Sequence, residues 1–300
     1  MVASISSSLK SPAARAALCL STIFCLSGPA PPISAAGFPD AGGLEPPAST
    51  GGQDSRPGET RWRHEQWSAL LGEFVTSGRV DYRGLLGQRG RLDRYLSALA
   101  GTSREEMARW SRADQVAFWI NAYNAYTVRL ILDHYPVDGI WQVTPLWRRA
   151  LGGPFKLEFI PLGHLAPWLG KKSLSLDDIE HGVLRGHFRE HRVHFAVVCA
   201  SIGCPALRSQ AYEGPILDRQ LDDAARTFLA DPTKNRYDAS ANVLYLSPIF
   251  DWFSEDFEPV GGPAGFFRRY GPPAARQALA AAPEPPAVRF TEYDWSLNER

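Results

Sequence analysis

The sequence predicts an α+β fold: a single domain whose helix-rich N-terminal half packs on a small, mainly antiparallel sheet. Three observations predict it. Apolar residues recur at spacings of three and four through the first half of the folded chain. β-branched and aromatic runs gather later, and the two kinds of segment come in blocks rather than in regular alternation.

The elements follow in order. In "RWRHEQWSALLGEFV", Trp67, Leu70, Leu71 and Phe74 mark one face of an amphipathic helix, and "VDYRGLL" is a short extended entry into a second helix ending near Leu99. Ser103 with Glu106 is a capping-box pattern, and Ser111 with Asp114 is an acidic version of it. Behind the second cap, "QVAFWINAYNAYTVRLILDHY" is apolar on nearly every side until Pro136, as a helix central to a core is. "FKLEFIPL" alternates like a strand, "SLSLDDIEHGVLRGHF" reads as a capped helix starting at Ser175, and "RVHFAVVCAS" reads as a buried strand. Pro215 to Leu229 is a further helix, and "RYDASANVLYLSPIF" is two strands around a polar turn.

The N-terminus is of another kind. Lys10 and Arg15 precede an apolar stretch from Ala16 to Ala30, and small residues follow at Ser34 and Ala35. That is the three-part pattern of a secretory signal peptide (residues 1–35, cut after Ala35 or Ala36), so the protein is expected to be exported, periplasmic or secreted. The stretch falls short of the ~20 residues of a spanning helix, and Gly28, Pro29, Pro31 and Pro32 break it. No stable membrane insertion is expected once it is removed. Residues 36–60 are rich in Gly, Pro and Ser and are expected to be a disordered linker. Residues 61–300 hold ample apolar surface for one core.

The whole chain carries 32 basic and 32 acidic residues, and losing Lys10 and Arg15 leaves 30 against 32. A near-neutral chain without a basic run excludes nucleic acid as the main partner. "LGGPF" and "GGPAG" lack the strand before and the helix with lysine after that make a phosphate loop.

Five phrases occur in order: "AFWINAYNAYT", "LSLDDIEHGVLR", "HFAVVCASIGCPALR", "LSPIFDWFSEDF" and "YDWSLN". Together they resemble the family catalogued as domain of unknown function 547, in its bacterial exported form. In that family two prolines usually follow the second cysteine, whereas here Pro205 is followed by Ala206. The resemblance implies a papain-like, cysteine-peptidase-like fold in which Cys, His and an acidic residue form the catalytic set.

Of the four cysteines, Cys19 and Cys25 lie in the export segment, which leaves Cys199 and Cys204 in an oxidising compartment. Three readings of the pair stay open. Pro205 suits the first position of a helix, which would put Cys204 at a cap. There the unpaired N–H groups, the helix dipole and Arg208 would lower a thiol pKa and make a nucleophile. Equally, a C-x4-C pair in an exported protein can be a disulfide. A buried inert thiol is the third reading.

A nucleophile needs a base and a group behind it. His181 and His194 are the candidates, with His181 favoured because Gly182 beside it leaves space around the ring. Glu180 points ~100° away from His181 on a helix, so it would orient His194 from across the fold or bind a substrate amine. Asn121 and Asn124, three apart on the central helix, are candidate oxyanion or orienting groups, or else buried amides in a core network. His187, His191 and His194 are closely spaced, but "HFREH" lacks the metallopeptidase glutamate and there is no second cysteine pair. No metal and no other cofactor is expected. The expected function is thiol-dependent acyl transfer on an amide, thioester or small peptide, with Cys204 as nucleophile, His181 or His194 as base and Glu180 in support. The alternatives are a non-enzymatic envelope binding or scaffold domain with a Cys199–Cys204 disulfide, and a thiol–disulfide carrier. The expected partner is a small peptide or a thiol-containing substrate.

Overall fold

Residues 64–300 are described by the structure, a computed structural model. The expected signal peptide and linker lie outside them. α1 (Glu65–Phe74) leads directly into β1 (Val75–Thr76), which pairs antiparallel with β2 (Arg79–Val80). The expected second helix is two: α2 (Tyr82–Gly87), capped by Asp81 accepting from the Gly84 N–H at 2.8 Å, and α3 (Arg89–Ala100). Ser103 caps α4 (Arg104–Met107) through the Glu106 N–H at 3.0 Å, and Ser111 caps α5 (Arg112–His134) through the Asp114 N–H at 3.1 Å.

α5 organises everything else. Every side chain from Val116 to Val128 is buried, which is why the sequence there is apolar all round. The two amides inside that stretch, Asn121 and Asn124, must therefore find partners in the core. Pro136, which cannot continue the hydrogen-bond ladder, ends the helix at Tyr135.

Two expected strands are not strands. "FKLEFIPL" begins as a 3-10 turn (Gly153–Lys156), and its extended part makes a single bridge, Ile160 to Leu174. Pro161 has no N–H to extend the ladder, and Leu162 turns back to bond the Ile160 carbonyl at 2.8 Å. "RVHFAVVCAS" opens as a 3-10 turn (His191–Phe195) and then continues without regular secondary structure beside α5. Its backbone partners come from a side chain: Asn124 Nδ2 donates to the Ala196 carbonyl and Asn124 Oδ1 accepts from the Val198 N–H, both at 2.9 Å. One amide thus satisfies a buried backbone that would otherwise need a neighbouring strand.

Between these segments lies the expected capped helix. Ser175 Oγ accepts from the Asp178 N–H at 3.1 Å, as the pattern predicts, but residues Asp178–His187 are wound as a π-helix. The wider turn, with bonds such as Phe188 N–H to Val183 carbonyl at 2.9 Å, is a form often found at functional sites.

α7 (Leu217–Leu229) packs on the 3-10 turn of residues 191–195. β3 (Arg236–Asp238) and β4 (Val243–Leu246) make the expected antiparallel pair. α8 (Ile249–Trp252), α9 (Ser254–Phe257), α10 (Gly262–Tyr270) and α11 (Pro273–Ala281) come next. β5 (Ala287–Phe290) then joins β4 in parallel, in the order β3-β4-β5. The result is the α+β class, helix-rich with two small sheets. A second core of Phe195, Phe250, Phe257 and Phe266 lies beside the one around α5. The final residues return to the cysteine loop: Ile202 N–H bonds the Ser296 carbonyl, Gly203 N–H the Asp294 carbonyl (both 2.8 Å), and Asn298 N–H the Ala200 carbonyl (3.0 Å).

Candidate functional site

The cysteine loop is shaped by its ends. Ala200 takes a left-handed conformation, φ 62°, and the C-terminal tail presses on Gly203. A Cβ at Gly203 would meet the Tyr293 ring at 2.9 Å and Asp294 backbone at 3.0 Å, so only glycine allows that approach. The loop brings Cys199 and Cys204 together as a disulfide, with Cα atoms 6.3 Å apart.

The expected helix after Cys204 is absent: residues 205–208 are irregular. Ala206 instead packs against Gly78 in the turn between β1 and β2. Cys204 therefore caps nothing, and the dipole argument for an activated thiol falls. Arg208 lies over the Tyr212 ring at 5.7 Å. What surrounds the Cys204 sulfur is the Cys199 N–H at 3.0 Å and the Tyr293 hydroxyl at 3.1 Å, while Lys234 Nζ donates to the Cys204 carbonyl at 2.8 Å. Among the described residues no histidine is hydrogen-bonded to either sulfur.

His194 forms a second centre. Its side chain is fully buried, Nε2 lies 2.6 Å from Asp256 Oδ2, and Nδ1 lies 3.6 Å from Glu180 Oε1, a charge contact rather than a hydrogen bond. The ring stacks on Phe253 with centroids 4.1 Å apart. Glu180 Oε2 accepts from the Tyr123 hydroxyl at 3.3 Å, and Arg185 Nε donates to Asp256. Glu180 thus reaches His194 from the π-helix, as the sequence allowed, with Asp256 of α9 on the far side of the ring.

The carboxyl groups respond to this company. Burial alone would raise Asp256, but hydrogen bonds from His194 and Arg185 outweigh it and hold the group well below the usual carboxylate range. Glu180 is likewise lowered, burial being outweighed by His194, His181 and Arg185. Burial, with the nearby charge of Glu180, pushes the Tyr123 and Tyr293 hydroxyls far above their ordinary range.

His181 lies at the edge of this centre, half-buried, with Arg185 against Nδ1, Asp177 3.5 Å from Nε2 and its ring 5.8 Å from that of Phe253. The space expected beside it is filled: a Cβ on Gly182 would meet Leu169 at 2.8 Å. Asn121 behaves as Asn124 does, pairing its amide with both the Tyr212 carbonyl (2.8 Å) and the Tyr212 N–H (3.0 Å). Both are core amides; neither geometry is that of an oxyanion hole. His187 ends the π-helix stacked on Trp168, and His191 opens the next turn against Phe266, so they share no helix face. Among the described residues no three His, Cys, Asp or Glu side chains are grouped to hold a metal.

The sequence reading missed Tyr123, Arg185, Asp256 and Tyr293. All four lie inside the ordered motifs quoted above, none of them singled out there. Their convergence was the available signal. Around Tyr293 stand Trp252 (ring centroids 4.9 Å), Trp295 (4.5 Å) and, beyond Trp295, Trp141 (5.4 Å). These four rings form a partly buried wall beside the disulfide.

No curated protein and no solved structure matches the chain. Residues 107–229 match the family model described as "Protein of unknown function, DUF547". That span runs from the end of α4 to the end of α7 and holds both asparagines, Glu180, both candidate histidines and both cysteines, and over those residues the chain is similar to that family.

Proposed function

We propose that this is an exported binding domain, braced by the Cys199–Cys204 disulfide, that receives a small peptide on the wall of Trp141, Trp252, Tyr293 and Trp295. One observation carries the reading. The Cys204 sulfur is bonded to Cys199 and both His194 nitrogens face carboxylates, while four adjacent rings, partly buried against the cores, keep some exposed surface. The reactive groups are engaged in holding the fold, and the rings beside them are of the type that anchors partners. Asp251 and Asp294, exposed next to the rings, suit a peptide amine or basic side chain. A disulfide is also what an oxidising compartment maintains, which supports export.

The test is a peptide-array screen with oxidised, alkylated protein. Binding is expected to survive alkylation and to weaken about tenfold or more in W252A/W295A, as loss of aromatic anchors does. Binding or turnover that appears only after reduction overturns it.

A second reading keeps the thiol-dependent acyl transfer expected from sequence, and the two donors on the Cys204 sulfur favour it. After a dithiol reduces the disulfide, those donors would hold a Cys204 thiolate. It would attack an acyl carbon and release an amine or thiol, and water would then resolve the thioester. Its test is a release assay with small thioesters, with and without dithiol; equal rates for C204S and wild type would remove it.

A further inference from the structure

The excursion between Gly139 and Leu157 is not used by either centre. Its two 3-10 turns, Ile140–Val143 and Gly153–Lys156, flank the single-turn α6 (Leu146–Arg149). Leu146, Trp147 and Leu151 there are 73%, 65% and 68% exposed, the largest values among the described large hydrophobic residues. Scattered exposed apolar residues need no explanation, but three within six positions do.

The base of the excursion is firmly placed. Trp141 packs on Phe155 (5.5 Å) and Trp295 (5.4 Å), and so tightly on Gly153 that a Cβ there would meet its ring at 2.6 Å. Arg149 Nη2 donates to the Trp141 carbonyl at 3.2 Å, and the Arg148 guanidinium lies over the Trp147 ring at 5.2 Å. The apolar tip is held out by a packed base. From Gly139 to Leu157 the charged residues are Arg148, Arg149 and Lys156, with no acid among them.

We propose that this excursion docks the protein on an anionic lipid surface. Leu146, Trp147 and Leu151 would enter the headgroup–acyl boundary, with Arg148 at the phosphate level. Tryptophan and leucine beside arginine is the chemistry of interfacial segments, in which aliphatic stems follow the apolar residues inward and the charged heads stay with the lipid phosphates. Three side chains within six residues fall well short of the ~800 Å² that a standard protein interface needs from each partner. The mode is lying on the membrane, since no helix among the described residues is long and apolar enough to cross one.

The experiment is co-sedimentation of the whole chain with vesicles of phosphatidylglycerol and phosphatidylcholine, or of phosphatidylcholine alone. Wild type is compared with L146S/W147S/L151S and with R148E. All four residues are exposed, and a melting curve confirms that each variant folds. Wild type is expected to bind the anionic vesicles more tightly than either variant by about tenfold or more, with salt weakening it. Brominated lipid should quench wild type and spare W147S. Residues 1–63 are the same in every sample, so binding equal in wild type and variants overturns the proposal by placing the contact elsewhere. No binding by wild type overturns it too, as does a vesicle-free dimer that the triple-serine variant abolishes, which would make the tip a contact between copies.

Discussion

The sulfur centre and the histidine centre lie on adjoining segments yet are held by opposite means. One is a covalent bond between residues five apart, closing a loop that the C-terminal tail also clamps. The other is a set of ionisable side chains gathered from three elements: Glu180 and Arg185 on the π-helix, His194 on the next turn, Asp256 on α9. A short covalent loop restricts little of the unfolded chain. The charged centre joins the core around α5 to the phenylalanine core, because the neighbour of His194, Phe195, belongs to the second. Global stability should therefore reside in the charges, and chemical sensitivity in the sulfurs.

His194→Ala is the harshest way to break that comparison. It strips a partner from two carboxylates and leaves a hole against Phe253 and Phe257. Truncating a large buried side chain and leaving its hydrogen-bond partners unpaired costs roughly 3–5 kcal/mol. The lower end is expected, because Asp256 keeps Arg185 and Glu180 keeps Tyr123. Urea denaturation at neutral pH measures it, and a cost under about 1 kcal/mol would mean that the cluster is incidental to the fold.

Acid probes the same centre without mutation. Asp256 and Glu180 are lowered in the folded state, so the stability they contribute is complete above the unfolded carboxyl range. It is lost as pH falls from about 4 toward their folded values, where the folded protein finally takes up the protons that the unfolded chain already holds. Denaturation midpoints taken from neutral pH to acid should fall in that window. The slope should flatten in His194→Ala, which removes a cause of both shifts, and stay as steep in C199S/C204S.

Opening the sulfur centre should cost less. For so short a loop the chain-entropy account gives about 2 kcal/mol, whether the bond is reduced or replaced in C199S/C204S. A loss larger than that of His194→Ala would reverse the comparison and make the disulfide the principal brace.

How much of this was legible follows from what the sequence encodes locally. The caps at Ser103, Ser111 and Ser175 could be read because a side chain and a backbone N–H three residues apart carry the whole signal. Burial of α5 could be read from its periodicity. The segment from Arg192 to Cys199 could not, since a buried apolar run looks the same whether a strand or an asparagine satisfies its backbone, and Asn124 lies more than seventy residues away. The helix at Pro205 was inferred from a preference of proline alone, and packing of Ala206 on Gly78 overrode it. The pairing of Glu180 with His194 was legible as an option, because the angle between neighbours on a helix excluded His181. Its second carboxylate, Asp256, was hidden by sequence distance.

Tyr293→Phe gives the smallest effect and the sharpest division between the two centres. In the oxidised protein its hydroxyl donates to a disulfide sulfur, a weak acceptor, so its loss should cost below about 1 kcal/mol. The ring stays between Trp252 and Trp295, and the wall is preserved. In the reduced protein the same hydroxyl would face a thiolate, and a hydrogen bond to a charged group is about twice as strong as one between neutral groups. The variant should then need a higher pH for half-maximal alkylation of Cys204 than reduced wild type does, with mass spectrometry assigning the labelled cysteine. If the two alkylation profiles coincide, Tyr293 serves packing alone, and the sulfur centre is a brace with no tuned chemistry behind it. If they separate while the urea midpoints of the oxidised proteins agree, the hydroxyl acts on the thiol and not on the fold, which is the division between chemistry and stability that the two centres embody.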